Sequence, residues 1–335
     1  MLIISLFFST LLVCAIDLEQ LVHPAVVYSQ KIEIKEFPYA FNPSIVRWRE
    51  KLLLSFRFIP DPKKPYTSEI GLVWLNKDFK PVSKPQRLQL RAKNSKVPCR
   101  AEDGRLIVIN DTLYLIYSDN TDTFLSRRGF RMHIAEILYE KNKFNAKSVE
   151  RITTFYEDWE NKREKNWVPF DYHGQLLLAY SIDPHRIMHP LGCAGLCEIF
   201  VESDKPIPWN WGQLRGGTQA ILDGDHYLSF FHSSIPMCSK HSDHKEVMHY
   251  FIGAYTFSAT PPFEVLSIST APIVGSHWYN GKKYKPYWKE VQVVFPCGLL
   301  IEDDSLYITY GRQDHEMWIA KLDKQKLYDS LLPIS

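Results

Sequence analysis

The sequence predicts an all-β protein built from sheets repeated about one axis, and three observations carry that expectation. A strand pair of one pattern returns five times along the chain. Turns are frequent, with 21 prolines and 15 glycines in 335 residues. Stretches of helical period are few. Period-two strands recurring at about fifty to eighty residues, each with its own hairpin, describe a radial array in which every unit is one sheet. Five units predict a five-bladed β-propeller, occupying residues 17–335 as a single domain.

The chain opens with an apolar run, residues 1–16, whose only polar members are Ser5, Ser9 and Thr10. It is short for a membrane span, it lacks a basic start, and Val13 and Ala15 are of the small type that a signal peptidase accepts. A cleaved signal peptide or an N-terminal membrane anchor is expected, and with it a secreted or luminal protein. Asn110-Asp111-Thr112 is then an acceptor for a glycan at an exposed turn.

The strand that defines each unit lies at 51–56, 111–117, 173–180, 223–231 and 303–310, each after a turn and ending in an aromatic residue. A second strand of small and apolar residues follows at 70–73, 134–137, 252–255 and 319–322; the third unit has only a rough equivalent at 197–200. The clearest hairpin follows Cys99, where Arg100, Glu102, Asp103 and Arg105 precede an apolar strand and an Asn110-Asp111 turn. Charged groups at a strand entrance project from a rigid support.

Composition narrows the ligand. With 45% apolar and 14% aromatic residues the chain can bury a large core. Forty Lys and Arg against 38 Asp and Glu, with no basic run, argue against a nucleic-acid surface and suit a neutral ligand. Without Cys14, five cysteines remain, and only Cys193 and Cys197 are close together. They are expected as a disulfide or as two buried thiols, because no second pair completes a zinc site. His241, Asp243, His244 and His249, and likewise His185 with His189, have no metal-ligand spacing, so no metal is expected. No glycine-rich loop leads from a strand into a helix, so no nucleotide cofactor is expected either.

Inner strands of a propeller start near its axis, so the residues that enter or end them should share one pocket. Asn42-Pro43-Ser44 enters the first unit and Arg57 ends its strand. Glu102-Asp103-Gly104-Arg105 enters the second, and Lys165-Asn166-Trp167 the third, with Asp183-Pro184-His185-Arg186 following its strand. Arg215-Gly216-Gly217-Thr218 enters the fourth, which ends in His232. Phe295-Pro296-Cys297-Gly298 enters the fifth, which ends in Tyr310-Gly311-Arg312-Gln313-Asp314.

Taken in order, these stretches resemble glycoside hydrolase family 130, the five-bladed propeller phosphorylases and hydrolases of β-mannosides. The similarity rests on NPS, Arg57, EDGR, EKNW, GGT with His232, FPCG and YGRQD. The chain departs from the family pattern at EDGR for EDPR, at WVPF for LFP after Asn166, and at YGRQD for YGAAD. The resemblance implies a proton donor at Asp103, acting through a hydroxyl of the bound mannose. It also implies an oligosaccharide or glycan substrate and, in a phosphorylase, inorganic phosphate as co-substrate without further cofactor.

Asn42, Ser44, Arg57, Arg105, Asp314 and Tyr310 are the candidates for holding the sugar, and Trp167 is a second aromatic for stacking or for packing between units. Arg131, Lys165, His185 and Arg186 are the candidate phosphate ligands, with Lys165 the best matched. Hydrolysis by inversion would need a second carboxylate to activate water, and Asp314 is the one available. Inverting hydrolysis or phosphorolysis of β-mannosides is the expected activity. A glycosyltransferase on the same scaffold and a non-catalytic sugar-binding propeller remain as alternatives.

Overall fold

The computed structural model describes residues 16–64, 66–93, 95–121, 129–154, 164–191, 196–281 and 290–334. Cys14, Cys193 and all of the apolar N-terminal run except Ile16 lie outside them. Cys197 is a buried free thiol. Among the described residues no helix is long and apolar enough to cross a membrane.

The fold is all-β and propeller-like, with five mainly antiparallel sheets in succession. The first strand, β1 (Val26–Ile32), belongs to the last of them. Sheet 1 comprises β2 (Phe41–Trp48), β3 (Lys51–Phe58), β4 (Glu69–Leu75) and β5 (Gln86–Arg87). Sheet 2 comprises β6 (Ala101–Ile109), β7 (Thr112–Asp119), β8 (Arg131–Glu140) and β9 (Lys143–Arg151). In sheet 3 the short β10 (Thr153–Thr154) joins β11 (Val168–Tyr172), β12 (Gln175–Ile182), β13 (His185–Leu191) and β14 (Leu196–Ser203) by pairing with β14. Sheet 4 starts with β15 (Arg215–Gly216) and β16 (Ile221–Asp223), both paired with β17 (His226–Cys238), and continues through β18 (Glu246–Ser258) and β19 (Val265–Ser269). The two-residue β20 (Val291–Gln292) runs parallel to β18. Sheet 5 is β21 (Val294–Glu302), β22 (Ser305–Arg312) and β23 (Glu316–Asp323), with β1 as its outer strand. A short helix, α1 (Lys324–Asp329), then leads to β24 (Leu331–Pro333), which pairs with β19 of sheet 4.

The hairpins form where expected because their two-residue turns accept positive φ. Arg49-Glu50, Asn110-Asp111 and His173-Gly174 each hold both central residues there. This is the twist-matched geometry that joins adjacent strands. Asn110 lies exposed at its turn.

Each neighbouring pair of sheets shares a buried apolar cluster. Leu53, Ile70 and Leu72 of sheet 1 meet Leu106 and Leu115 of sheet 2. Ile107 and Met132 meet Leu178 and Met188 of sheet 3. Phe170 meets Phe231 and Phe257 of sheet 4; Phe230 and Phe251 meet Leu299 and Ile308 of sheet 5; Ile319 and Leu300 return to Ile45 and Leu54 of sheet 1. The neighbour relation therefore closes on itself. Buried Gln219 links sheets near the centre: its Nε2 donates to Ile45 O (3.1 Å) and Leu299 O (2.8 Å), and its Oε1 accepts from Leu299 N (3.2 Å). Buried backbone groups that would otherwise be orphaned are thus paired across three sheets.

Candidate active site

The first strands of sheets 1, 2 and 5 break register at equivalent places, between Phe41 and Ser44, Glu102 and Arg105, and Pro296 and Gly298. Such bulges turn a side chain out of the strand's alternation. Asn42 (φ 47°) and Asp103 (φ 51°) occupy two of them in the left-handed region. The pair meets directly, Asn42 Nδ2 donating to Asp103 Oδ1 at 2.7 Å.

Both residues line a cavity of about 640 Å³ that receives side chains from all five units. Arg57, at the end of β3, bridges the adjacent carboxylates, with Nη1 at 3.1 Å from Asp103 Oδ1 and Nη2 at 3.0 Å from Glu102 Oε1. Lys165, ahead of β11, places Nζ 2.7 Å from Glu102 Oε2 and 3.6 Å from the centroid of the Phe130 ring. Asn120 donates to Glu102 Oε1 at 2.6 Å. Sheet 4 contributes Arg215, His232 and Tyr250, and the fifth unit Phe295 and Asp314.

Burial pushes the Asp103 carboxyl upward, but Arg57, Lys165, Arg105 and the Asn42 amide together outweigh it and hold it well below the usual carboxylate range. Burial works against the Arg57 charge too, yet Glu102, Asp103 and Asp314 raise its pKa and keep the guanidinium ionised. His232 is driven down to about 3, first by burial and then by Arg105 and Arg215. It is neutral at physiological pH, with Nδ1 donating to Gly216 O at 2.9 Å. The lining therefore balances three cations, Arg57, Lys165 and Arg215, against three carboxylates, Glu102, Asp103 and Asp314.

Of the residues singled out in the sequence, Asn42, Arg57, Asp103, Lys165 and Asp314 line this cavity. The others are placed elsewhere, each for a physical reason. Ser44 is fully buried and its Oγ accepts from Leu106 N at 3.0 Å, joining sheet 1 to sheet 2. Arg105 spends its guanidinium on Gly217 O (2.7 Å), Asp103 O (2.8 Å) and Asn166 Oδ1 (3.0 Å), so it shapes the cavity wall from behind. Tyr310 is wholly buried against Trp278, with ring centroids 4.6 Å apart. Trp167 packs edge-on to Tyr180 and donates to Glu164.

None of the remaining phosphate candidates faces the cavity. Arg131 opens β8 opposite Asp119 and donates to Phe130 O (3.1 Å). His185 sits in the core beside Tyr255 and Phe257, bonded to Phe263 O (2.7 Å), and burial lowers its pKa to about 4. Arg186 pairs with Glu202 at the surface. Glu102, Arg215 and His232, expected at the shared pocket from their strand entrances and ends but given no role there, also line the cavity. Asn120 is a lining residue that no pattern in the sequence revealed.

Fold and cavity together define a propeller-like protein whose sheets bring paired carboxylates and cations to one pocket. The chain belongs to glycoside hydrolase family 130, whose model, described as β-1,4-mannooligosaccharide phosphorylase, matches residues 15–332. A 1,2-β-oligomannan phosphorylase of Thermoanaerobacter sp. is 23% identical over 241 residues, 68% of this chain and 69% of that protein. A mannose phosphorylase from Leishmania mexicana, solved with phosphate ion, superposes with a TM-score of 0.59 at 13% identity, over 95% of this chain and 94% of that one. A β-1,2-mannobiose phosphorylase from Listeria innocua, solved with β-1,2-mannobiose, gives 0.54 at 15% identity, over 92% and 94%. At these identities the structural likenesses establish the fold. The family comprises glycoside phosphorylases and hydrolases; its phosphorylases take inorganic phosphate as co-substrate.

Proposed function

We propose that the five sheets are the blades of one five-bladed propeller and that the protein cleaves β-mannosides by phosphorolysis in its central cavity, with Asp103 as proton donor. The observation that carries this reading is the meeting of Asp103 with Lys165, Arg215 and neutral His232 around one cavity, an acid and an anion site from three different units. Asn42 and Arg57 both engage Asp103 Oδ1, which leaves Oδ2 to carry the proton. A phosphate oxygen attacks the anomeric carbon from the face opposite the leaving group. As the glycosidic C–O bond breaks, its electron pair goes to the leaving oxygen, which takes the Asp103 proton directly or through a mannose hydroxyl. The products are α-mannose 1-phosphate and the shortened saccharide. Because Asp103 is ionised in the free enzyme, its proton must be acquired as the sugar enters and displaces water from the carboxylate.

Glu102 is unsuited to act as a base, since Arg57, Lys165 and Asn120 already occupy both its oxygens. Asp314 also lines the cavity, within the field of Arg57 but with no hydrogen-bonded clamp among the described residues, and supports a second reading, inverting hydrolysis with Asp314 activating water. The apolar N-terminal run favours that second reading, because a sugar phosphate released outside a cell is hard to recover. Incubating the protein with β-1,2- and β-1,4-mannobiose, with and without phosphate, tests both. Mannose 1-phosphate formed only with phosphate is expected; free mannose formed without phosphate would indicate hydrolysis. Release of neither from any β-mannoside would refute the assignment.

A further inference from the structure

Away from the cavity, three adjacent elements of sheet 2 bring together Cys99, just before β6, Asp119 at the end of β7, and His133 near the start of β8. Their sulfur, carboxylate oxygen and ring nitrogen all lie within 4.8 Å of one another, and all three side chains are buried. The intervals between them match no sequence motif, so only the pairing of β6, β7 and β8 makes the cluster visible.

Each side chain is oriented by atoms that are not needed for coordination. Asp119 Oδ1 accepts from Arg100 N (2.7 Å), Thr121 N (3.1 Å) and Thr121 Oγ1 (2.6 Å), so Oδ2 is the oxygen left for a ligand. His133 Nδ1 lies 3.2 Å from Arg131 O. A carbonyl only accepts, so Nδ1 carries the hydrogen and Nε2 is the basic nitrogen of the ring. Tyr117 closes the cluster from the side: it is completely buried, its ring stacks on His133 at 5.4 Å, and its hydroxyl lies against the Cys99 thiol. A separate cavity of about 320 Å³ reaches Cys99 from the side of Glu69 and Arg87.

We propose that Cys99, Asp119 and His133 bind a zinc ion, with the Tyr117 hydroxyl or a water molecule as fourth ligand. Bond lengths of about 2.0–2.3 Å in a tetrahedral site put ligand atoms about 3.3–3.8 Å apart, a contraction that side-chain rotation supplies. Thiolate and carboxylate together neutralise the dication, and the thiol proton leaves to solvent as the sulfur–metal bond forms. The ion would also brace the end of β7, where Asn120 holds Glu102 at the cavity. The proposal does not depend on the reaction assigned to that cavity.

Full-length protein stripped with a chelator, reloaded with zinc and desalted should retain about one zinc per chain by elemental analysis. Loaded with cobalt instead, it should show thiolate-to-cobalt charge-transfer absorption. Cys99→Ser and His133→Gln should weaken zinc binding by at least about a hundredfold, while Cys238→Ser leaves it intact. A wild-type protein that keeps no zinc, a cobalt spectrum without the thiolate band, or unchanged loading in Cys99→Ser would each overturn the site. The two wild-type measurements decide the matter even where a variant fails to fold.

Discussion

Asp103→Asn isolates the role of the proposed acid, because the fold can absorb the change. The amide oxygen can still accept from Asn42 and Arg57, and Arg57 keeps its 3.0 Å contact with Glu102, so no buried charge is abandoned. Turnover should fall by about 10²–10⁴, the usual worth of a positioned acid, equivalent to about 2.7–5.4 kcal/mol of transition-state stabilisation. The cavity's balance of three cations and three carboxylates becomes three against two, so an anion should bind at least as tightly as before. A drop in kcat with an unchanged or lower KM for phosphate distinguishes lost chemistry from lost structure. The deficit should also shrink on aryl β-mannosides with acidic phenols, which leave without protonation. Initial rates of phosphate-dependent release from mannobiose and from an aryl mannoside series measure both effects. Turnover of mannobiose within about tenfold of wild type, or a loss that ignores the leaving group, would refute the assignment of Asp103 as the acid.

Four further outcomes follow from the same structure. A Cβ at Gly311 would collide with Asn42 Oδ1, so Gly311→Ala should misplace the amide that fixes Asp103 and lower kcat on the order of a hundredfold while the fold survives, as urea denaturation would check. Asn42→Gly removes the same amide but suits the left-handed backbone, so turnover should fall while the unfolding midpoint holds or rises. Gln219→Leu strands Ile45 O and both backbone groups of Leu299 near the centre, at a cost on the order of 3 kcal/mol in unfolding free energy. His185 titrates at about 4 when folded against 6.5 as a free side chain, so the unfolded state binds more protons between those values and stability falls as pH drops through that window. His185→Gln should remove about 3 kcal/mol of that decline between pH 7 and pH 4, read from denaturant midpoints.

What could be read from the sequence was local. The hairpins were legible because two-residue turns at Arg49-Glu50, Asn110-Asp111 and His173-Gly174 sit between alternating strands, and Asp103 and Asn42 because they open those strands. The direction of a side chain was not. Period-two structure reverses every face with a slip of one residue. The pairing of β12 with β13 slips between Ala179 and Ser181, so counting from the strand could not decide whether His185 faced the centre or the core. Arg105 illustrates a different limit. Its position in the motif suits a sugar ligand as well as a brace, and the choice was made by Gly217 O, a carbonyl 112 residues away. Asn120 reaches Glu102 across the β6–β7 pairing, and Arg215 and His232 enter the cavity only once sheet 4 is in place.

The bulges connect fold to chemistry most directly. A left-handed non-glycine residue costs about 1 kcal/mol or more, and Asn42 and Asp103 both bear that strain in adjacent sheets. Each is held there by the other through the 2.7 Å bond from Asn42 Nδ2 to Asp103 Oδ1, while Ser44 Oγ and Ser55 Oγ tie the flanking backbone across the same joint. Thr309 adds a bond from sheet 5 to Pro43 O. The position of the carboxylate is therefore set where sheets meet rather than within any one of them. Breaking the contact between those two bulges at Asn42 releases the strain and frees the acid together, so turnover is lost at that joint without an equal loss of stability.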